Sequence, residues 1–523
     1  MRKTRLILLC LLIVAVFLFA FFRLVPASGR LVGLDGKSLV YARGRDAATL
    51  DPAQAQDEES LKVISNIFEG LVRFKPGTTE VEPCLAEAWR VSPDGREWTF
   101  YLRKNVKFHD GTPFNSEAVR FSVERQMPPF RRESTAYASF TFGVVDTIKT
   151  PDPYTVTFVL KYPYAPFLNN LAMPASAPIV SPDAASVLGD GFGDRPVGTG
   201  PYRFAQWKKG KIITLKANVD YWGKPAEQRD LSFTVIKNSR MRSLALVLGL
   251  ADVADGLTLP DARFLEEKGY SVIRSPGLDL NYLGFFTDKK PFDNPAVRRA
   301  VNMLVDRAHI NAALFKGASF EANGPLPPGV LGYDPGLRPL PYDPAGAKEL
   351  LAENGYPDGM KITIITYSNT RPYNPAGGEK LAGLLRSDLA RAGIEAEIRV
   401  YPWDRYKEAL FKGEGNAFLY GWISDNGDPD NILYTLLSSS QIDSGLNTFR
   451  YRNGEVDLLL AGAQQETEPS VRAHLYQRAV KVIVQDSPLV VLNHSLKLTA
   501  CSPHIEGLIP CTAGARLDLV KKL

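Results

Sequence analysis

Two short loops carry the residue types that could bind a small charged molecule. Segment 419–431 (LYGWISDNGDPDN) runs from an apolar stretch through Trp422 into a loop rich in Asp and Asn. A carboxylate at a strand end beside an indole is a good site for an ammonium group, because the ring covers the ligand and lowers the local dielectric. Two other interpretations stay open. Asp428 or Asp430 caps a helix that begins near Ile432, or the loop binds calcium, although it lacks the DxDxDG pattern and the late glutamate.

The second loop, 370–375 (TRPYNP), precedes a helical pattern that begins at Glu379. Two prolines bracket it, and a stiff loop of this kind could present the guanidinium of Arg371 to a carboxylate. The alternative from the sequence alone is that Arg371 faces solvent, as most arginine side chains do.

Motifs of catalysis and metal binding are missing from the sequence. It contains no GxSxG, SxxK or CxxC, and its five histidines show no HExxH spacing. We therefore expect no catalytic residues, no metal site and no cofactor.

The charge distribution argues against nucleic acid as a partner. The 523 residues include 62 basic and 57 acidic side chains, with a formal net charge of +5. Residues 1–29 hold four of the basic side chains and no acidic one, which leaves the remainder close to neutral. Such a body has no broad basic face for a phosphate backbone.

The N-terminal segment predicts export. A basic start is followed by an uninterrupted apolar run from Leu6 to Phe22, and small residues precede a cleavage position after Gly29. The run is longer than most signal-peptide cores and close to the length of a membrane span. Residues 1–29 are therefore either a cleaved signal peptide or a retained N-terminal membrane anchor, and both place the body outside the cytoplasm.

Three cysteines lie beyond this segment. Cys501 and Cys511 could close a small disulfide loop in an oxidising compartment, which would leave Cys84 unpaired. The alternative is that all three are small buried residues.

Helix and strand patterns alternate along the body, as in a mixed α/β protein. Residues 379–400 read as an amphipathic helix followed by an alternating strand, and residues 343–366 repeat this order. A helix is expected to begin at Asn294, with Pro295 in its first turn. Strands are expected at 39–41, 98–102 and 155–160.

Several motifs follow one another in a fixed order along the chain. They are Leu85–Trp89 (LAEAW), Ser92–Gly95 (SPDG), Phe100–Phe114 (FYLRKNVKFHDGTPF), Pro196–Tyr202 (PVGTGPY) and Asn281–Ala300 with its PFDNPAVRRA. Together they resemble the periplasmic substrate-binding proteins of peptide ABC transporters, solute-binding protein family 5. The RPYNP and DNGDPDN loops are similar to the dipeptide-binding branch of that family.

The resemblance implies roles for individual side chains. Asp425 matches the carboxylate that receives the α-ammonium group of a peptide. Arg371 matches the guanidinium that receives the α-carboxylate, with Tyr373 beside it. The segment that runs alongside the ligand is matched by Trp422, Ile423 and Ser424.

The chain departs from the dipeptide-binding branch at two places. A further ligand contact falls near Gln56, where the branch has a small hydroxyl residue. The branch also has a cysteine pair after the DNGDPDN loop, whereas Ser438–Ser440 and Phe449–Tyr451 contain no cysteine. The resemblance therefore leaves the side-chain preference and the stabilisation of that loop open.

The implied fold is a two-lobed periplasmic-binding-protein fold of the type II kind, with an extra subdomain and the ligand enclosed at the hinge. The first lobe is expected to combine residues 38–68, 195–277 and 492–523. The subdomain is expected at 69–194, and the second lobe at 278–491. Both proposed ligand charges then lie on the second lobe, and closure of the lobes completes the site.

The implied function is capture of short peptides, above all dipeptides, and their delivery to permease subunits in the inner membrane. A monomer in the periplasm, or one anchored to the inner membrane, is expected. Relatives on this scaffold carry haem, nickel complexes, sugars or antimicrobial peptides, so another ligand is the main alternative. An exported peptidase and a tethered chaperone or receptor are the remaining ones.

Overall fold

One large mixed sheet runs through the molecule. In the computed structural model, which describes residues 38–130, 135–510 and 516–523, its strand order is β16-β15-β17-β13-β18-β11-β1-β10-β9-β8. The strands of the chain are β1 (Ser38–Arg43), β2 (Val72–Phe74), β3 (Val81–Pro83), β4 (Ala86–Val91), β5 (Glu97–Leu102), β6 (Val145–Asp152), β7 (Thr155–Leu160), β8 (Tyr202–Lys208), β9 (Ile212–Ala217), β10 (Asp230–Val235), β11 (Val253–Ala254), β12 (Ser271–Pro276), β13 (Asp279–Phe285), β14 (Ser319–Glu321), β15 (Met360–Tyr367), β16 (Ile394–Tyr401), β17 (Ala417–Ile423), β18 (Leu489–Cys501), β19 (Ile505–Glu506) and β20 (Lys521–Lys522).

Helices connect most of these strands. They are α1 (Glu58–Ile67), α2 (Ser116–Glu124), α3 (Ala136–Phe142), α4 (Phe167–Leu171), α5 (Pro182–Leu188), α6 (Ser239–Val247), α7 (Leu259–Glu267), α8 (Pro295–Leu304), α9 (Arg307–Ile310), α10 (Pro344–Glu353), α11 (Gly378–Ala390), α12 (Trp403–Lys412), α13 (Asp430–Leu437), α14 (Gly454–Gln465) and α15 (Pro469–Asp486). Short 3₁₀ turns lie at Gly189–Asp194, Ser439–Gln441 and Leu517–Leu519, and a π turn at Asn311–Phe315.

Residues 1–29 lie outside the described residues, and so does Cys511. The prediction for residues 1–29 and the pairing of Cys501 with Cys511 therefore stay predictions. Within the described ranges, no helix combines the length and apolar character of a membrane span. Cys84 and Cys501 are both buried, and Cys501 ends the long strand β18.

The mixed α/β fold that the sequence predicts is confirmed element by element. Asn294 caps α8, its side chain accepting from the amide of Ala296 at 2.8 Å, and Asp343 caps α10 in the same way. The unit β15–α11–β16 forms as expected, with the two strands paired in parallel over their whole length. The buried leucine stripe of α11 covers that sheet.

Buried side chains gather into several separate cores. The largest core draws on residues between 280 and 492, and another on residues 39–233 together with 501–520. A third, between 71 and 179, packs behind the antiparallel sheet β4-β5-β7-β6. The terms first lobe, subdomain and second lobe are used below for the predicted ranges, whose exact boundaries stay a prediction.

Two neighbouring connections carry the chain between the lobes. Strand β18 pairs with β13 through its first residues and with β12 through its last ones, so β12–β13 and β18 cross side by side. A buried polar group marks the crossing. The Asp279 carboxylate accepts from the Ser495 amide at 2.9 Å and from its hydroxyl, and the Asp279 carbonyl lies 2.6 Å from Nδ1 of His494. These bonds fix the register of the hinge strands.

Replacing Asp279 by alanine should destabilise the protein. The Ser495 amide and hydroxyl lose their acceptor in a largely buried place, which costs about 2 kcal/mol of the free energy of unfolding. Urea denaturation followed by circular dichroism measures this change. Asp404→Ala, on the exposed surface of α12, is the control and should change stability little. Equal stability of the two variants would contradict the role given to Asp279.

Candidate ligand-binding site

The parallel pairing of β15 with β17 brings the two predicted charges to one edge of the second lobe. Ile364 pairs with Ala417 and Ile365 with Phe418, so both strands run in the same direction. The loop that holds Arg371 follows β15, and the loop that holds Asp425 follows β17. We call this place, formed by residues 368–377 and 423–430, the binding edge. Binding sites of open α/β sheets lie at such carboxyl ends of strands.

Arg371 lies on an aromatic ring rather than against a carboxylate. Its loop closes through two backbone hydrogen bonds between Arg371 and Asn374, of 3.0 and 2.9 Å. The guanidinium carbon is 3.2 Å from the centre of the Trp403 ring, and the nearest polar side-chain partner is Asn369 at 3.5 Å. No carboxylate of the described residues pairs with this guanidinium, and its Nε has no hydrogen-bond partner among them. The positive charge is positioned without being neutralised.

Tyr373 anchors the Arg371 loop by burying its side chain in the protein. Its side chain is 5% exposed, and burial raises the pKa of its hydroxyl well above the ordinary value. A Cβ at Gly421 would lie 2.3 Å from the Tyr373 ring, so β17 needs glycine at this position. Tyr373 belongs to an aromatic cluster with Tyr367, Trp403, Tyr406 and Tyr420. A role of Tyr373 in ligand contact stays a prediction.

The Asp425 carboxylate is exposed to solvent and faces the subdomain. One oxygen accepts a hydrogen bond of 2.8 Å from the hydroxyl of Tyr137 on α3. Desolvation by the surrounding protein raises the pKa of Asp425, and the hydrogen bond from Tyr137 opposes part of that shift. Among the described residues no cationic side chain pairs with Asp425. Sequence reasoning missed Tyr137, because nothing in its local sequence connects it with a loop 288 residues away.

The residues before Asp425 divide between the surface and the loop interior. The indole of Trp422 donates to Oδ1 of Asn431 at 2.9 Å, which fixes the ring. Ile423 is 43% exposed at the binding edge. Ser424 is buried, and its hydroxyl accepts from the Gly427 amide at 3.1 Å, so it shapes the loop.

Asp428, the next acidic residue after Asp425, is already paired within the protein. Both oxygens of Asp428 accept from the guanidinium of Arg472, at 2.6 and 2.7 Å, in a buried pair. Asp428 also accepts from the amide of Asp430 at 2.9 Å, at the first residue of α13, which begins at Asp430 and not at Ile432. Pro429 occupies the N-cap position of α13, so the expectation that Asp428 or Asp430 is the cap was wrong. A carboxylate engaged in this way has little capacity left for a calcium ion.

Asp430 is buried beside this pair. The hydroxyl of Tyr164, from the subdomain, donates to one of its oxygens at 3.3 Å, and the other oxygen has no partner among the described residues. Burial, reinforced by the charge of Asp428, raises the pKa of Asp430 to about 7, while Arg472 and Tyr164 partly oppose the shift. Near neutral pH this carboxyl is therefore partly protonated.

The acidic loop contacts the subdomain at several further points. Asn426 donates to Oδ1 of Asn170 at 2.7 Å, and the side-chain amide of Asn169 donates to the carbonyl of Asn426 at 3.3 Å. The subdomain therefore forms one wall next to the binding edge. Sequence reasoning assigned no binding role to the subdomain.

Gln56 lies on the first lobe, in the loop between β1 and α1, and is exposed. Two residues later, Glu58 pairs with Lys497 of the hinge strand β18 at 3.0 Å. The loop therefore lies beside the hinge. Contact between Gln56 and a ligand stays a prediction.

Comparison with known proteins identifies the family. The model described as "Bacterial extracellular solute-binding proteins, family 5 Middle" matches residues 80–444. The chain is a family 5 solute-binding protein. It has no enzymatic role, and it is the solute-binding component of an ABC importer.

Similar proteins cover nearly the whole chain of this family 5 protein. Heme-binding protein A of Haemophilus influenzae is 34% identical over 506 residues, which is 91% of this chain and 90% of that protein. The dipeptide-binding protein of Escherichia coli is 32% identical over 462 residues, 85% of this chain and 86% of that protein. The structure of HbpA2 from Haemophilus parasuis superposes with a TM-score of 0.88 at 31% identity, covering 93% of this chain and all of that one. The expected periplasmic-binding-protein fold is confirmed.

In this family 5 protein, the side-chain amide of Asn447 holds together the two ends of the loop between Ser438 and Tyr451. Asn447 is buried, and its amide donates to the carbonyls of Ser438 and Tyr451, each at 2.9 Å. Its oxygen accepts from the amide of Tyr451 at 3.2 Å. These bonds join the two segments in which the cysteines of the dipeptide-binding branch are missing. Asn447 thus closes the loop without a covalent bond.

Asn447→Ala should open this loop. Two buried carbonyls and one amide lose their partner, and we expect the free energy of unfolding to fall by about 2 kcal/mol. Chemical denaturation checks the value. Asp443→Ala, an exposed position in the same loop, is the matched control. If both variants are as stable as the wild type, the hydrogen bonds of Asn447 do not contribute to stability.

Asp430→Asn should stabilise the protein more at high pH than at low pH. A carboxyl whose pKa is raised by folding contributes stability that is complete below its unfolded pKa and lost as the pH rises through the folded value of about 7. Asparagine does not titrate, so its advantage over the wild type should grow by about 2 kcal/mol between pH 5 and pH 8. Denaturation at both pH values measures it. Glu395→Gln, at an exposed ion pair, should show no such growth, and an equal effect of Asp430→Asn at both pH values would refute the prediction.

Proposed function

We propose that this family 5 protein captures short peptides, above all dipeptides, and delivers them to the permease subunits of its importer. The observation that carries the proposal is the opposite, uncompensated charges of Arg371 and Asp425 at one edge of one lobe. A free peptide has an ammonium group at one end and a carboxylate at the other, and it is the ligand that pairs both. Similarity to the dipeptide-binding protein of Escherichia coli supports this choice.

The energetics favour a zwitterionic ligand. A single buried charge without a partner is costly, so a ligand with one charge would leave either Arg371 or Asp425 desolvated and unpaired when the lobes close. Two fixed charges also select ligands by the distance between their ends, which gives specificity for length. Side chains of the ligand are free to vary, since they do not enter these pairs. In the periplasm such a protein meets mixtures of peptides, and selection by length and ends suits that role.

Isothermal titration calorimetry with matched ligands tests the proposal. The panel is Ala-Ala, N-acetyl-Ala-Ala and Ala-Ala amide, each with wild type, Asp425→Asn and Arg371→Met. We expect acetylation to weaken binding to the wild type about 100-fold, because the Asp425 carboxylate loses its charged partner. Amidation should weaken binding by a similar factor, because the Arg371 guanidinium loses its charged partner. Acetylation should add little to the loss already caused by Asp425→Asn, and amidation little to that caused by Arg371→Met.

Arg391→Met is the control, since Arg391 directly follows α11 of the same lobe and its guanidinium is largely exposed. It should bind Ala-Ala as the wild type does. Equal affinity of the wild type for free and acetylated Ala-Ala would sink the proposal. Haem is titrated in parallel because of the similarity to Heme-binding protein A. Binding of haem together with no binding of any peptide would reassign the ligand class.

A further inference from the structure

A hydrogen bond between two distant parts of the chain orients the Asp425 carboxylate. The hydroxyl of Tyr137, on α3 of the subdomain, donates to Oδ1 of Asp425 at 2.8 Å. The other oxygen, Oδ2, receives no hydrogen bond from the described residues. One oxygen therefore holds the carboxylate in place while the other stays open to a ligand. A carboxylate that is already ordered loses less conformational entropy when a ligand pairs with it.

Tyr137 is itself held by the body of the subdomain. Helix α3 contributes to the core of the subdomain. The carbonyl of Phe140 on this helix accepts from the side-chain amide of Asn170 at 3.2 Å, and Oδ1 of Asn170 accepts from Asn426 at 2.7 Å. Asn170 and Asn426 are both buried. The same asparagine thus joins α3 to the residue after Asp425, so the donor and the carboxylate keep their relative position.

The donor is neutral, which suits a carboxylate that binds a cation. An arginine or lysine in place of Tyr137 would pair with Asp425 and neutralise its charge. A hydroxyl orients the carboxylate and leaves the negative charge to the ligand. Desolvation raises the pKa of Asp425 and the hydrogen bond from Tyr137 lowers it in part, so the bond also favours the ionised form that an ammonium group requires.

Tyr137 is the polar side chain through which the rest of the protein acts on this carboxylate. Within the described ranges, no other titratable group forms a hydrogen bond or an ion pair with Asp425. The neighbouring carboxylates of its loop bond elsewhere, Asp428 to Arg472 and Asp430 to Tyr164. A change at Tyr137 therefore reaches the ligand through Asp425.

We propose that Tyr137 is a positioning residue for the ammonium group of the ligand, and that it sets how strongly the protein prefers a free amino terminus over a blocked one. The inference rests on the proposed function, because it needs an ammonium group at Asp425. It gives the subdomain a role in selection, although the subdomain carries neither of the two ligand charges. Tyr137 acts through Asp425 and needs no contact of its own with the ligand.

Calorimetry of Tyr137→Phe with free and blocked dipeptides tests this inference. The readout is the ratio of the affinities for Ala-Ala and N-acetyl-Ala-Ala at pH 7. We expect Tyr137→Phe to reduce this ratio about fivefold, because only the free amino terminus pairs with Asp425. Its affinity for N-acetyl-Ala-Ala should equal that of the wild type, which also shows that the variant is folded. Tyr162→Phe, which removes a hydroxyl from a side chain that is 55% exposed on the same subdomain, should keep the wild-type ratio.

The pH dependence of Ala-Ala binding separates this role from a general structural effect. Affinity falls as the pH drops through the pKa of Asp425, because a protonated carboxyl no longer pairs with an ammonium group. The hydrogen bond from Tyr137 favours the ionised form, so the fall should begin at a higher pH in Tyr137→Phe. The advantage of the wild type should grow about twofold between pH 7 and pH 5. Asp430, with a pKa of about 7, is present in both proteins, so its contribution cancels in their ratio.

The outcomes distinguish this inference from the proposed function. The role given to Tyr137 is wrong, while peptide binding stands, if Tyr137→Phe keeps the wild-type ratio or weakens free and acetylated Ala-Ala by the same factor. It is also wrong if the variant and the wild type show the same pH dependence. If the wild type itself does not prefer Ala-Ala over N-acetyl-Ala-Ala, the proposed function is wrong, and the inference falls with it.

Discussion

The stacking of Arg371 on Trp403 is the interaction on which the binding edge depends. An arginine beside an acidic loop would form an internal salt bridge if it could reach the loop, and such a bridge would remove both charges from the site. The aromatic face attracts the guanidinium and holds it at 3.2 Å without neutralising it. The cluster of Tyr367, Tyr373, Tyr406 and Tyr420 behind Trp403 keeps the ring in place. This packing also buries the hydroxyl groups of the tyrosines, and burial raises the pKa of Tyr367 to about 12.

The three carboxylates of the acidic loop show how environment assigns different roles to the same residue type. Asp425 is exposed and accepts a bond from a neutral hydroxyl, which leaves its charge available. Asp428 is buried and forms a two-point pair with Arg472, so it serves the structure. Asp430 is buried and lacks a cation of its own, and its pKa rises accordingly.

Contacts from the subdomain connect the binding edge with the rest of the molecule. Tyr137, Tyr164 and Asn170 each reach the acidic loop, at Asp425, Asp430 and Asn426. Movement of the second lobe against the subdomain would therefore change the surroundings of the Asp425 carboxylate and of the buried Asp430 together. Strands β12–β13 and β18 run side by side and are joined by the polar group around Asp279 and Ser495.

Local sequence determined much of the fold. Alternating apolar residues, caps such as Asn294 and Asp343, and the glycine at 393 act within a few residues of chain, so the helices and strands of the β15–α11–β16 unit could be predicted without the structure. The same holds for the charged types at 371 and 425, which stand in recognisable loops. Tertiary structure alone decided which charged side chains of these loops have a partner of opposite charge. Asp428 has Arg472 as its partner 44 residues away, whereas Asp425, among the residues described, accepts only from the neutral hydroxyl of Tyr137, 288 residues away. Asn447 joins Ser438 and Tyr451 for the same reason, since hydrogen bonds and burial depend on side chains that approach one another only after the sheet has formed.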